Sequence, residues 1–187
     1  MMGSFAFGFP HRPEPIGGRG VPRPVTIFFT ADTHWGDHRT LNIGRRPFAG
    51  VAEMDAALVA NWNAVVRPGD EVWHLGDVAR RAGEVAGLLE RLNGVKNLVR
   101  GNNDPPGTLA AAGWASVRDY AELELDGRFL VLCHYPFRSW NRQGRGAINL
   151  HGHSHGRLKP APRQYDVGVD ARGFRPVTLA ELTGRSA

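Results

Sequence analysis

Five apolar runs in this chain each end on residues able to hold a metal ion or move a proton, and that recurrence constrains the fold most. Val25–Thr30 (VTIFFT) leads into Ala31-Asp32-Thr33-His34. Glu71–Leu75 (EVWHL) leads into Gly76-Asp77, and Asn97–Arg100 (NLVR) into Gly101-Asn102-Asn103-Asp104. Phe129–Cys133 (FLVLC) leads into His134, and Ala147–Leu150 (AINL) into His151-Gly152-His153-Ser154-His155. Runs this short and this rich in β-branched and aromatic residues read as buried strands. In α/β sheets, ligands bind beyond the carboxyl ends of the strands. The five clusters are therefore expected to converge on one cleft.

Between the runs lie helical patterns. Met54, Leu58, Trp62, Val65 and Val66 share one face of a helix over about 51–66, which Arg67-Pro68-Gly69-Asp70 ends. Val85, Leu88, Leu89 and Leu92 make a shorter helix stopping near Asn93-Gly94. Asp119–Leu125 alternates apolar and polar residues before the hairpin signal Asp126-Gly127, and Tyr165–Val169 reads as a further strand. Strands alternate with helices early and follow one another late. This is an α/β plan with an added mixed or antiparallel sheet. The 187 residues suit one domain over 25–187. Residues 1–24 hold five prolines and five glycines, which predicts a flexible arm.

No run of about 18 apolar residues offers a membrane span, and the first residues lack the basic start of a secretory signal. Cys133 is the single cysteine, so no intrachain disulfide or cysteine-based zinc site can form. A reducing cytoplasm is the expected compartment. The formal charge of +5 gives a mild bias toward polyanions such as nucleic acid, although the arginines are scattered.

The strand-end donors are carboxylates, imidazoles and one amide, a mixture suited to Mn, Fe, Zn, Co or Ni rather than Ca. Asp32 and His34 lie two apart, as do His153 and His155, so in extended backbone each pair points one way. There are more donors than one tetrahedral ion needs; two ions sharing a carboxylate would use them. The H-x-H-x-D-H of metallo-β-lactamase-type hydrolases fails here, because His155 takes the acidic position. The H-x-H of amidohydrolases fails because the first strand leads to D-T-H.

The ordered series D-x-H, G-D, G-N-x-D, H, G-H-x-H, spanning Ile27 to His155, resembles the calcineurin-like metallophosphoesterase superfamily. DTHWGDH, WHLGDVA, NLHGHSHG and DVGVDARGFRPV further resemble a small bacterial subgroup of uncharacterised phosphoesterases. The resemblance implies a four-layer α-β-β-α sandwich with two mixed sheets and two divalent metal ions at the strand ends. Mn is the first expectation, with Fe, Zn, Ni, Co or Mg as alternatives. Carried over residue by residue, Asp32, His34 and His155 would hold the first ion. Asn102, His134 and His153 would hold the second, and Asp77 would bridge them. Such a pair of ions lowers the pKa of a bridging water, whose hydroxide would attack phosphorus.

One position departs from the family pattern. Many members have histidine where this chain has Asn103, held by the acid that follows, here Asp104. Asn103 can donate a hydrogen bond to substrate but cannot act as a proton donor near neutral pH. Asp104 then serves catalysis or the turn. His38 is the first candidate to compensate, and Arg138, Arg142 and Arg145 are candidates to clamp phosphate. The absence of the histidine favours good leaving groups. His74 is read as a core histidine, His151 as a possible partner behind a ligand, and Asp170 as a turn or cap group. Trp35 and Trp140 could stack on a base beside the cleft.

The expected activity is hydrolysis of a phosphoester, with phosphodiesters of nucleotide or nucleic-acid type first. The alternatives are a phosphomonoesterase acting on a protein or small metabolite, and a metal-bearing nucleic-acid-binding module. The oligomeric state is left open.

Overall fold

The computed structural model describes residues 23–184. Nearly all of the expected arm at 1–24 lies outside the described residues. In chain order the strands are β1 (Ile27–Thr30), β2 (Glu71–His74), β3 (Val95–Val99), β4 (Trp114–Arg118), β5 (Ala121–Leu125), β6 (Arg128–Leu132), β7 (Ile148–His151), β8 (Gln164–Asp166) and β9 (Val177–Thr178). The helices are α1 (His38–Ile43), α2 (Val51–Val65), α3 (Val85–Arg91), α4 (Pro106–Leu109) and α5 (Leu179–Thr183).

One sheet runs β4-β3-β2-β1-β9, with β1 to β4 parallel and β9 antiparallel to β1. The other runs β5-β6-β7-β8, where β5 is antiparallel to β6 and the rest are parallel. Both sheets are mixed, as expected. Alternation along β1 sends Phe28 to one face and Phe29 to the other. Phe28, Val72 and Leu98 pack against Met54, Leu58 and Trp62 of α2 and against Val85, Leu88 and Leu89 of α3. Phe29, Trp73, Leu75 and Val99 pack instead against Leu130, Leu132, Ile148 and Leu150 of the second sheet. The layer outside that second sheet is thin. It consists of the segment after His134 with a single 3-10 turn at Gln143–Arg145, tied down where Phe137 N donates to Asn149 Oδ1 and Gln164 Nε2 donates to Phe137 O.

Several elements escaped the sequence pattern. β4 lies on a sheet edge and exposes Val117, which blurs its alternation. α1 has no buried residue to give it periodicity; it starts because the Asp37 side chain caps it at Arg39 N. β9 has two residues, and α5 starts from a Thr178–Glu181 capping box.

The parallel strands deliver their carboxyl ends to one edge of the sandwich. Gly76, just beyond β2, makes this close packing possible. Its φ is +92°, and a Cβ there would sit 2.4 Å from Gly101 N. A side chain would thus push the Asp77 loop off the Asn102 turn. Gly76→Ala is expected to destabilise by about 3 kcal/mol or more, combining left-handed strain with overpacking. A denaturant midpoint that moved by less than about 1 kcal/mol equivalent would contradict this packing.

Candidate metal centre

Three of the five strand-end clusters turn sharply after their strands through left-handed backbone. Asp32, His34, Asp77, His153 and His155 all have φ between 48° and 65°, so half of the ten described non-glycine residues with positive φ stand in this one place. Such backbone is costly for residues with a Cβ and persists where surrounding contacts fix it. The fixing contacts are visible. Asp32 N donates to Gly76 O, His34 N to Asp77 O, and His153 N to Asp32 Oδ1.

The structure brings the side chains together as two groups, in each of which the ligand atoms lie within 4.8 Å of one another. One is Asp32, His34 and His155; the other is Asp32, Asp77 and His134. Asp32 is common to both groups, and Asp77 Oδ2 of the second lies 3.7 Å from His134 Nε2 and 3.4 Å from His34 Nε2 of the first. Asn102 joins the second through its Oδ1, 2.9 Å from His134 Nε2. His153 stands with its ring centroid 5.1 Å from that of His134. Asp32, His34, Asp77 and His134 are buried, while Asn102, Asn103 and His153 are exposed. The centre is closed behind and open in front.

The lone pairs here lack protons to meet them. Asp32 Oδ2 and His34 Nε2 are buried without a hydrogen-bond partner. Burial pushes Asp32 well above the ordinary carboxylate range, and the nearby Asp166 and Asp77 charges add to that. Burial lowers His34 to about 4, so it is neutral at pH 7. His134 Nδ1 lies 2.8 Å from the Leu75 carbonyl, which can only accept. Burial keeps His134 below its usual pKa, hence neutral, with its proton on Nδ1. Its Nε2 lone pair then faces the Asn102 oxygen, another acceptor. Orphaned carboxylate oxygen, orphaned imidazole nitrogen and two facing acceptors form a donor set that fits cations.

Asp104 does not line the cavity over the centre. Its Oδ2 accepts from Asp77 N and Gly101 N, and its Oδ1 from Val78 N, each at 2.8 Å. It clamps the Asp77 loop to the Asn102 turn, the turn role foreseen as its alternative. Asn103 donates from its backbone N to Asp77 Oδ1 and from Nδ2 to Asp77 Oδ2, both at 2.7 Å. His74 Nε2 lies 2.8 Å from Thr33 Oγ1, whose proton goes to Val78 O. It is a core histidine that ties the Asp32 and Asp77 loops together.

Sequence reasoning passed over an ion pair behind the centre, between a buried arginine and a partly buried carboxylate. Arg46 donates from Nε and Nη2 to the two oxygens of Asp170, and from Nη1 and Nη2 to the carbonyls of Thr33 and Asp32. Asp170 Oδ2 also takes the Nδ1 proton of His155 at 2.7 Å, which leaves His155 Nε2 as the ligand atom. Burial would raise the Asp170 pKa, but these bonds from His155 and Arg46 hold it at about 2. Asp170 is thus more than a turn group: it orients a ligand. Asp170→Asn is expected to weaken Mn binding by about 10–100-fold in a calorimetric titration. An unchanged affinity would remove Asp170 from this role.

Other expected residues stand elsewhere. His38 is exposed at the start of α1 and does not line the cavity over the centre. Arg142 and Arg145 line a separate hollow with Glu124 and Phe129, and Arg142 lies 4.2 Å over the Phe129 ring. Arg138 is exposed and does not line the metal-side cavity. His151 is buried and lines another hollow with Tyr165. Trp35 packs in the helix-side core against Trp62, and Trp140 donates to Ala147 O. The cavity is lined instead by Asp37, Arg39, Thr40 and Ile43 from α1 and its cap, and by Arg157 from the loop after His155.

The chain is similar in sequence and fold to known proteins. The model of the calcineurin-like phosphoesterase superfamily domain matches residues 25–165. An uncharacterised protein of Methanocaldococcus jannaschii is 32% identical over 163 residues, covering 82% of this chain and 86% of that protein. The gene 66 protein of Mycobacterium phage D29 is 31% identical over 179 residues, covering 78% of this chain and 88% of its own. A solved structure of an Aquifex aeolicus protein of unknown function shares the fold, with a TM-score of 0.70 at 21% identity, covering 86% of this chain and 99% of that one. With five strand-end clusters gathered at one sandwich edge and the family model matching most of its length, the chain belongs to the calcineurin-like phosphoesterase superfamily.

Proposed function

We propose that the chain is a phosphoesterase dependent on two divalent cations, with phosphodiesters of nucleotide or nucleic-acid type as preferred substrates. Asp32, His34 and His155 hold one cation, Asn102, His134 and His153 the other, and Asp77 lies between them. The observation that carries this reading is the set of unmatched lone pairs: Asp32 Oδ2 and His34 Nε2 without partners, and His134 Nε2 facing Asn102 Oδ1. Imidazole and oxygen donors suit Mn, Fe, Zn, Ni, Co or Mg, and Mn is proposed first from the family resemblance. When bound, two such ions polarise phosphoryl oxygens and lower the pKa of a water toward about 7.

The chain's own residues do the rest. Asp104 fixes the Asp77 loop through three backbone N–H groups. Arg46 and Asp170 set the protonation of His155. The exposed Asn103 amide stands at the rim and donates to a phosphoryl oxygen of the substrate. No described helix is long and apolar enough to cross a membrane. A cytoplasmic place is proposed from the reduced-thiol composition alone.

Mn-loaded protein assayed in parallel on bis(4-nitrophenyl) phosphate and 4-nitrophenyl phosphate tests the reading. Faster diester turnover is expected. Equal or faster monoester turnover would make it a phosphomonoesterase. No turnover of either, with salt-dependent RNA affinity, would make it a binding module.

A further inference from the structure

Three aromatic rings meet at the open side of the centre, and one of them belongs to no metal-type ligand. Tyr135 lies edge-on to His134, with ring centroids 5.0 Å apart and planes at 74°. It lies edge-on to His153 as well, at 4.8 Å and 64°. His134 and His153 complete the triangle at 5.1 Å and 71°. Edge-to-face pairs of this spacing are a favoured arrangement of rings, because the positive edge of one meets the negative face of the next. Tyr135 is 45% exposed, so burial alone does not account for where it stands.

The histidines of the centre differ in how their rings are held. His134 is fully buried and hydrogen-bonds through Nδ1 to the Leu75 carbonyl. His155 gives its Nδ1 proton to Asp170. His34 is buried and stacks on His155 at 5.3 Å. His153 is exposed, and its backbone N donates to Asp32 Oδ1. That bond and its φ of 65° fix the main chain but not the ring. The ring itself is met by Tyr135 and by His134. Tyr135 serves as a brace because its chain neighbours are stiff. It follows the anchored His134, and Pro136 after it favours extended backbone at Tyr135. It also lines a hollow with Asn102, the other exposed donor proposed for the second cation.

We infer that Tyr135 positions the second cation site by holding the His153 ring in its coordinating orientation. The inference rests on the two-cation reading above and goes beyond it. Of the two proposed sets, Asp32, His34 and His155 are buried or half-buried, with Asp170 behind them. Asn102, His134 and His153 include two exposed members. An exposed side chain gives up rotamer freedom when it takes a ligand, and a neighbour that has already restricted it lowers that cost. Tyr135 therefore acts on the affinity of the second cation and leaves the first alone. The ring supplies this restraint, not the hydroxyl.

The test is a titration of Mn into the metal-free protein, followed by calorimetry and by electron paramagnetic resonance. The unaltered protein is expected to take two Mn per chain, the second more weakly, and to show the spectrum of a coupled pair. Tyr135→Ala should weaken the second step by about tenfold and the first by less than about twofold, with the coupled spectrum reduced at two equivalents. Tyr135→Phe should keep both steps within about twofold of the unaltered protein. His153→Ala should weaken the same second step, and adding Tyr135→Ala to it should change Mn binding by less than about twofold, because the ring to be held is gone. An unchanged second step in Tyr135→Ala, equal weakening of both steps, a Tyr135→Phe variant as weak as Tyr135→Ala, or a further loss in the double variant would overturn the inference while the two-cation reading stands. Fewer than two Mn bound by the unaltered protein would overturn both.

Discussion

Replacing Asp77 with asparagine is expected to lower bis(4-nitrophenyl) phosphate turnover by about 1,000-fold or more, with the fold intact. The substitution keeps the shape and one carbonyl oxygen, so Asn103 N retains an acceptor. It removes the negative charge that lies within 3.4 Å of His34 Nε2 and 3.7 Å of His134 Nε2. A neutral amide there would hold the two proposed cations less tightly, and the charge they would bring to phosphate would fall. In the presence of chelator, Asp77→Asn should melt close to the unaltered protein, because no metal contributes in either. Full activity of the variant in a clean preparation would remove Asp77 from the reaction.

Arg46→Ala carries the largest expected effect on stability. The Arg46 side chain is fully buried, and it satisfies both oxygens of Asp170 and the carbonyls of Asp32 and Thr33. Truncation leaves the two carbonyls behind the centre without a donor and leaves Asp170 with His155 alone. Breaking a buried pair from one side costs about 3–5 kcal/mol. For a domain of this size about 1 kcal/mol moves Tm by 2–4 °C, so the fall should be roughly 6–20 °C. Arg46→Lys should recover only part of it, since an ammonium cannot reproduce the fork. A melting scan in chelator that showed Arg46→Ala within about 2 °C of the unaltered protein would contradict the network.

The cluster of strand-end donors was more legible in the sequence than the groups behind it, and the reason is geometric. A strand that ends on Asp-x-His or Gly-Asp announces both its direction and its chemistry within a few residues. The parallel pairing of β1, β2 and β3, and of β6 and β7, then carries those ends to one edge. Arg46 and Asp170 are 124 residues apart, and neither lies in a periodic element, so nothing local linked them. The signal available was Asp170 within DVGVDARGFRPV, a stretch too charged for a plain strand end. The arginines failed for a related reason. Arg142 and Arg145 follow His134 in sequence, but the chain crosses the outer face of the second sheet before reaching them. Arg39 and Arg157 reach the cavity from a helix too short to show periodicity and from the loop after His155.

The paired-cation claim is tested most directly by anomalous scattering from crystals of the protein grown with Mn. Two peaks are expected, both within bonding reach of Asp77, one also touching His34 and His155 and the other Asn102, His134 and His153. A map with no peak among these side chains, or with density bound elsewhere on the surface, would contradict it.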